Sequence, residues 1–449
     1  MKIYFGIDVG GHSHTVHFMD GSKRQLMPEL VISDDVDGYD ELVARLRELR
    51  QRYPGAEIHG GAEATGIYWR NLFFYLKRAL PWVKMTLVNP LQTRRYRDLQ
   101  LRRTKTDRQD SQLVAMYLAT FEPAETELPD EHLADLCELV RYRRVKLKEY
   151  SRYRNYLHKY LKQAFPELCG KVRRMSGLRI LAVLSRYPTA GHVRRASVAE
   201  IARLRYGKRC WRVGRATAVQ LKKLAERSAA SYVGPGVGFT IQSLAANLLR
   251  LREETIAFEE KIDELYCKNP ATKLITIPGI AGLSAAVIES EVKNISRFKT
   301  AEDLVGYAGA YPEIRQSGVS SNPKPRMTHK GNRYLNQTIY MCVLNAISPR
   351  APESAIKHYY YRLIASGKDR MVAIGSCMRK LLHIIHAILT TGKPYRVDYE
   401  FPVGTFQVRF VDRKTARYLT EDEISTSTTV IPIKYKGKVT APKVLKDSR

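Results

Sequence analysis

No Cys-x-x-Cys pair occurs among the six cysteines of this 449-residue chain, which lie scattered at Cys137, Cys169, Cys210, Cys267, Cys342 and Cys377. Neither a zinc site nor a disulfide framework is therefore indicated, and a reducing interior fits best. A secretory leader is absent and no run of 18 apolar residues interrupts the chain, so the expectation is a soluble intracellular protein without a membrane partner. Acids are scarce beside bases: 45 Asp+Glu against 75 Lys+Arg, a formal charge of +30. That excess runs through the chain rather than sitting in one tail, which points to nucleic acid as the partner. With 449 residues and 44% hydrophobic content, two or three domains are expected, with enough apolar material to bury their cores.

Against this basic background, the stretch from Lys105 to Gln112 stands out. Asp107 and Asp110 open an apolar-periodic helix and, three apart, project from one face. A carboxylate pair in a first turn suits the helix dipole on its own account. It also repels unless a cation sits between the two acids. Bases crowd the approach, among them Arg97, Arg102, Arg103, Lys105 and Arg108, as expected of a metal site that faces a polyanion.

The preceding residues supply a sheet. Lys2 to Val9 read as a strand with Asp8 near its end. His14 to Met19 and Gln25 to Ile32 give two more strands around an Asp20-Gly21 turn, and Tyr39 to Tyr53 has helical spacing. Glu57 to Glu63, Ile67 to Leu80 and Met85 to Asn89 then alternate strand, helix, strand. Three strands followed by alternating helices and strands is the order of a ribonuclease-H-like α/β domain, expected over 1–125. Adjacent first and fourth strands would set Asp8 beside Glu63, with the helical pair facing them. Four carboxylates so gathered can hold two Mg²⁺ ions for phosphoryl transfer.

A helical, coiled-coil arm is expected over 126–268. Between Arg141 and Arg174 it carries twelve Lys/Arg and two acids, with tyrosines interleaved. Arg141, Arg143, Arg144 and Lys148 suit phosphates, and the tyrosines suit bases or a partner helix. Residues 269–393 form the next domain. In it, Ile277-Pro278-Gly279-Ile280-Ala281-Gly282 before a helix reads as a helix-hairpin-helix, whose amides near Gly279 and Gly282 can hold a backbone phosphate. Ser317-Gly318 follows in a turn among cations, with Arg315, Arg326, Lys330 and Arg333 close in sequence. Ser320 and Ser321 compete with Ser317 as a reactive hydroxyl. Residues 394–449 read as a β-rich extension to which no chemistry is assigned.

These motifs resemble those of insertion-sequence transposases that pair a DEDD, RuvC-like domain with a serine-bearing domain, now described as bridge-RNA-guided recombinases. The residues carrying the resemblance are Gly6-Ile7-Asp8-Val9-Gly10, Glu63-Ala64-Thr65-Gly66 and Lys105-Thr106-Asp107-Arg108-Gln109-Asp110. In the second domain they are Ile277-Pro278-Gly279-Ile280, Gly306-Tyr307-Ala308-Gly309, Ser317-Gly318 and Lys330-Gly331-Asn332-Arg333. The resemblance implies that Asp8, Glu63, Asp107 and Asp110 bind Mg²⁺ and that Ser317 forms a covalent bond to DNA. It further implies donor and target DNA as partners, a structured guide RNA, a homo-oligomer whose protomers share the active site, and a cytoplasmic location. A Holliday-junction resolvase-like nuclease with water as nucleophile, and a non-catalytic nucleic-acid scaffold, are the competing readings. The intact acidic quartet stands against the scaffold, and the serine region stands against the plain nuclease.

Overall fold

In the computed structural model, the described residues are 1–100, 107–128, 130–172, 176–230, 234–267, 273–312, 316–317, 320–321, 327–328, 330–396, 407–412 and 430–435. They fall into two compact units, Met1–Leu128 and Pro129–Arg449.

The first unit is mixed α/β. Its strands are β1 (Lys2–Val9), β2 (Ser13–Asp20), β3 (Leu30–Ser33), β4 (Glu57–Glu63) and β5 (Lys84–Val88). Helices α1 (Val36–Arg52), α2 (Trp69–Ala79), α3 (Pro90–Leu99) and α4 (Asp107–Phe121) complete it. The strands form one sheet in the order β3-β2-β1-β4-β5. β2 runs antiparallel to β1 and to β3, whereas β1, β4 and β5 are parallel. The two outcomes follow from the connections: a tight turn joins β1 to β2, and helices carry the chain into β4 and β5. The turn after β2 is built by Asp20, whose Oδ1 accepts from the backbone N–H of Ser22 at 2.8 Å and of Arg24 at 2.9 Å. The expected strand from Gln25 is shorter than its alternation suggested. Gln25 makes a single bridge to Met19 and regular pairing resumes only at Leu30, because Pro28 has no N–H to give the ladder.

Alternation gives the sheet two buried faces. Ile3, Phe5 and Ile7 pack with Leu42, Leu46, Leu72 and Phe73 from α1 and α2. Tyr4 and Met19 face the other way, against Leu113, Val114 and Leu118 of α4.

The second unit is mostly helical. α5 (Glu131–Ala164) begins at an Asp130 cap whose side chain accepts from the His132 N–H at 2.7 Å. Short helices α6 (Pro166–Lys171), α7 (Leu178–Leu184), α8 (Ala190–Arg195) and α9 (Val198–Arg203), a two-strand ribbon β6 (Arg205–Tyr206) and β7 (Trp211–Arg212), and α10 (Arg215–Glu226) follow. α11 (Pro235–Cys267) then returns along α5 in the opposite direction, as the ion pairs Arg143–Glu259 and Lys146–Glu254 require. At 34 and 33 residues these helices are each about 50 Å long. Their far end packs against α6 to α10 through Leu157, Leu161, Leu181, Val193, Leu221 and Leu244.

Beyond α11 come α12 (Gly282–Val292), α13 (Ala301–Ala308), a ribbon of β8 (Gln316–Ser317) and β9 (Ser320–Ser321), α14 (Arg333–Ala346), α15 (Ala355–Ala365) and α16 (Arg370–Thr391). α16 is long and apolar enough to cross a membrane by composition. Here its Ile374, Cys377, Leu381 and Ile385 are buried in a core shared with α12, α13 and α14. In the last stretch, β10 (Gln407–Asp412) pairs antiparallel with β11 (Val430–Tyr435).

Candidate active site

Sheet alternation decides where the acids point. An added Cβ on Gly6 would lie 2.1 Å from the Ser111 carbonyl oxygen and 2.4 Å from the Ala115 nitrogen. One on Gly61 would lie 3.0 Å from Leu118 Cδ1. Gly6 and Gly61 thus face α4, and so do the residues two further along each strand, Asp8 and Glu63. The parallel register Gly6↔Gly61, Ile7↔Ala62 brings that pair level at the C-terminal ends of neighbouring strands.

α4 lies on this face with Ser111 and Val114 buried against the sheet. Asp107 and Asp110 stand one turn before them on the same stripe, which carries the helix start toward the strand ends where Asp8 and Glu63 lie. The Asp107 side chain is outside the described residues, as are Arg102, Arg103 and Lys105. Asp110 pairs with Arg97 of α3, both side chains being mostly buried, at 14% and 20% exposure. Glu63 accepts from the hydroxyl of Thr93, a fully buried residue of α3, and from Thr65 Oγ1 at 3.4 Å. α3 therefore orients two of the acids. Thr93 carried no signal in the sequence, because a lone threonine in a helix gives no hint of the strand end above it.

The donors fit a hard cation such as Mg²⁺: all are carboxylates, which such ions prefer. Among the described residues, no group of three or more His, Cys, Asp or Glu side chains is close enough to hold a metal ion by itself. Asp110 is held on Arg97 instead. A hard dication brought among these acids would compete with that guanidinium for the same oxygens.

Ser317 falls in the second unit, paired directly with Ser320 across the β8–β9 ribbon, while Gln316 pairs with Ser321. The side chains of these serines, and Gly318, Arg315 and Arg326, lie outside the described residues. Backbone contacts close the base of the segment. Pro312 bridges Met327, and the Thr328 N–H donates to the Tyr311 carbonyl at 2.9 Å. Gly309 (φ +66°) and Gly331 (φ +153°) meet backbone to backbone, an added Cβ on Gly331 lying 2.5 Å from the Gly309 nitrogen.

Glu291, only 1% exposed, ties this base to the arm. Arg141 donates to both its carboxylate oxygens at 2.8 Å, and Asn332 Nδ2 donates to Oε2 at 2.7 Å. Asn332 also caps α14, accepting from the Tyr334 and Leu335 N–H groups at 3.0 and 3.1 Å. Burial alone would raise the Glu291 pKa, but the Arg141 hydrogen bonds and charge, helped by Asn332 and Cys137, outweigh it and hold the carboxyl below its ordinary value. A glutamate on the apolar side of a helix was the available sign of this hub.

The arm arginines differ from expectation. Arg141 is spent on Glu291 and Arg143 on Glu259. Arg144 donates to the Arg333 carbonyl at 3.2 Å and lies 4.9 Å over the Tyr334 ring, which Arg141 and Arg333 also approach. Packing of α5 against α11, α12 and α14 gives these three cations partners inside the protein. Lys148 stays exposed. Gly279 (φ +97°) fits closely on α14, where a Cβ would meet the Cys342 carbonyl oxygen at 2.6 Å. Gly282 opens onto a cavity of about 310 Å³ that Glu259, Glu260 and Asp263 also line, so carboxylates stand where a phosphate was expected. Lys330 is exposed at the loop base.

Residues 5–166 match a transposase family of the IS110 DEDD type, and residues 271–361 match the transposase IS116/IS110/IS902 family. The chain belongs to the IS110/IS116 family of transposases. The 43.6 kDa protein of insertion element IS110 from Streptomyces coelicolor is 28% identical to this transposase over 328 residues, covering 72% of this chain and 79% of that one. The pilin gene-inverting protein of Moraxella lacunata is 22% identical over 394 residues, 88% of this chain and 98% of that one. Among solved structures, Thermus thermophilus RuvC in complex with Holliday junction substrate aligns with 28% of this transposase and 99% of that chain, at 15% identity and a TM-score of 0.20.

Proposed function

We propose that this transposase cuts and rejoins DNA at the ends of its insertion sequence through a covalent serine–DNA intermediate, with Asp8, Glu63, Asp107 and Asp110 as the ligands of Mg²⁺ and Ser317 as the nucleophile. The observation that carries the reading is the common facing of Asp8 and Glu63 toward α4, whose first turn holds the other two acids. When bound, the metal would neutralise charge developing on the scissile phosphate.

The chain's own residues do the rest. Thr93 and Arg97 fix Glu63 and Asp110 before substrate arrives. The Ser317 oxygen attacks phosphorus, its proton leaves to a base, and the displaced strand departs with a protonated hydroxyl. Attack by a strand hydroxyl on the phosphoserine reverses these steps, so rejoining conserves the phosphodiester's energy and needs no ATP. Sharing of the site between protomers, a ribonuclease-H-like ancestry for the first unit, and guidance by a structured RNA belong to the same reading. The +30 charge supports it, because holding several nucleic-acid backbones takes charge rather than a recognition helix.

The test compares wild type with Asp8→Asn and Glu63→Gln for cleavage of an insertion-sequence end in the presence of Mg²⁺, alongside binding of the same DNA. Cleavage is expected to vanish in both variants while binding stays within about twofold, since a carboxamide keeps the shape and loses the charge. Full cleavage by either variant would remove the acidic site.

A further inference from the structure

The helices between the two long arm helices leave a pocket that the reaction does not use. It is a cavity of about 960 Å³ between α5, α7, α10 and α11, near the top of the range usual for ligand sites (roughly 300–1,000 Å³). Its floor is apolar, formed by Leu157 and Leu161, which are 1% and 0% exposed. Tyr150 and Tyr206 stand as walls and are held in place. The Tyr150 hydroxyl donates to the Ser176 carbonyl at 3.0 Å, and Arg179 donates to the Tyr206 hydroxyl at 3.1 Å and to Thr217 Oγ1 at 3.1 Å.

The rim is cationic. Arg154 and Arg252 come from opposite arm helices, both are exposed, and neither has an ion pair among the described residues. This separates them from Arg141, Arg143 and Arg144, whose guanidiniums are committed inside the protein. Among the described residues, no carboxylate lines the cavity. Fixed aromatic walls over an apolar floor suit the flat face of a base, and two unpaired guanidiniums at the rim suit its phosphates. A duplex cannot present its bases to such a recess, whereas an unpaired strand can.

We propose that this pocket binds the unpaired nucleotides of a single strand, stacking bases against Tyr150 and Tyr206 and holding the adjoining phosphates with Arg154 and Arg252. The proposal rests on the reading above only in taking nucleic acid as the partner, not on cleavage or on the serine.

The experiment uses the full chain carrying Asp8→Asn, so that no probe is cut, and measures binding of labelled oligouridine, oligodeoxythymidine and a duplex, each about eight nucleotides long, by fluorescence anisotropy across salt concentrations. Arg154→Ala with Arg252→Ala should weaken single-strand binding about tenfold and flatten its log–log salt slope by about 1.4, or roughly 0.7 per lost phosphate contact. Tyr206→Ala should cost single-strand binding about tenfold with the slope unchanged. Duplex binding should not move in either variant. The single strand that binds tighter, RNA or DNA, names the source, and equal losses on both mean that the site reads base and phosphate alone. The two arginines are exposed, so an unchanged melting temperature confirms that their removal leaves the fold intact. Parallel losses on duplex and single strand would reduce the pocket to diffuse charge and overturn the proposal. So would unchanged single-strand binding, with or without loss of self-association. Either failure leaves the proposed reaction standing, because cleavage is not read.

Discussion

Gly6→Ala probes the placement of the acids without touching any of them. The added methyl would sit 2.1 Å from the Ser111 carbonyl oxygen and 2.4 Å from the Ala115 nitrogen, both backbone atoms of α4. Ordinary contact begins at about 3.4 Å, so α4 must move away from β1 by roughly 1 Å or more. Overpacking of this kind costs about 1–3 kcal/mol, which urea unfolding of the first unit would register. The larger effect falls on activity. Asp107 and Asp110 ride on α4 while Asp8 and Glu63 stay on the sheet, and a misplacement of about 1 Å can cost on the order of 100-fold in rate. Gly6→Ala should therefore lower DNA cleavage by about two orders of magnitude while DNA binding and the second unit's stability are unchanged. Gly21→Ala is the control: its Cβ would meet only the Lys2 carbonyl oxygen at 3.9 Å, and the change should stay within about 0.5 kcal/mol. A Gly6→Ala protein with full cleavage and wild-type stability would refute the facing of α4 on β1, and with it the grouping of the acids.

Glu291→Gln should destabilise the second unit by about 2–3 kcal/mol in urea unfolding, below the usual loss for a broken buried pair because Arg141 is 40% exposed and can regain water. Since the folded Glu291 carboxyl lies below its ordinary value of 4.5, its stabilisation is present above that pH and is lost as pH falls through the lowered value. The acid limb of the stability–pH profile should accordingly be shallower in Glu291→Gln. Arg143→Ala should lower stability with little change in the salt slope of nucleic-acid binding, and Lys148→Ala should flatten that slope while leaving stability alone; the reverse pattern would return the arm arginines to phosphate contact.

Asp8 and Glu63 were legible because strand period is short and local: each lies two residues beyond a glycine on the α4 face, at or next to the end of its strand. The helical spacing that set Asp107 and Asp110 on one stripe with Ser111 and Val114 is equally local. What escaped the sequence were partners fixed only by tertiary packing. Arg141 meets Glu291 from 150 residues away, and Arg143 meets Glu259 from 116, so a run of bases suited to phosphates is partly an internal ion-pair seam. Thr93 under Glu63 and the acids around Gly282 are of the same kind. The strand shortens to Leu30–Ser33 for a different reason: the alternation continues through the sequence, but Pro28 interrupts its hydrogen bonding.

The serine tests the account most directly. A nicked DNA carrying the element's end, incubated with Mg²⁺ and the RNA that copurifies with the protein, is resolved under denaturing conditions for wild type, Ser317→Ala, Ser320→Ala and Asp8→Asn. Ser317 and Ser320 are register partners in the β8–β9 ribbon, so the two alanine variants change paired positions and differ in which hydroxyl is removed. The account expects a protein–DNA adduct in wild type and Ser320→Ala, and none in Ser317→Ala or Asp8→Asn. An adduct that survives Ser317→Ala would contradict it, and free DNA ends without an adduct in any of the four would make water the nucleophile.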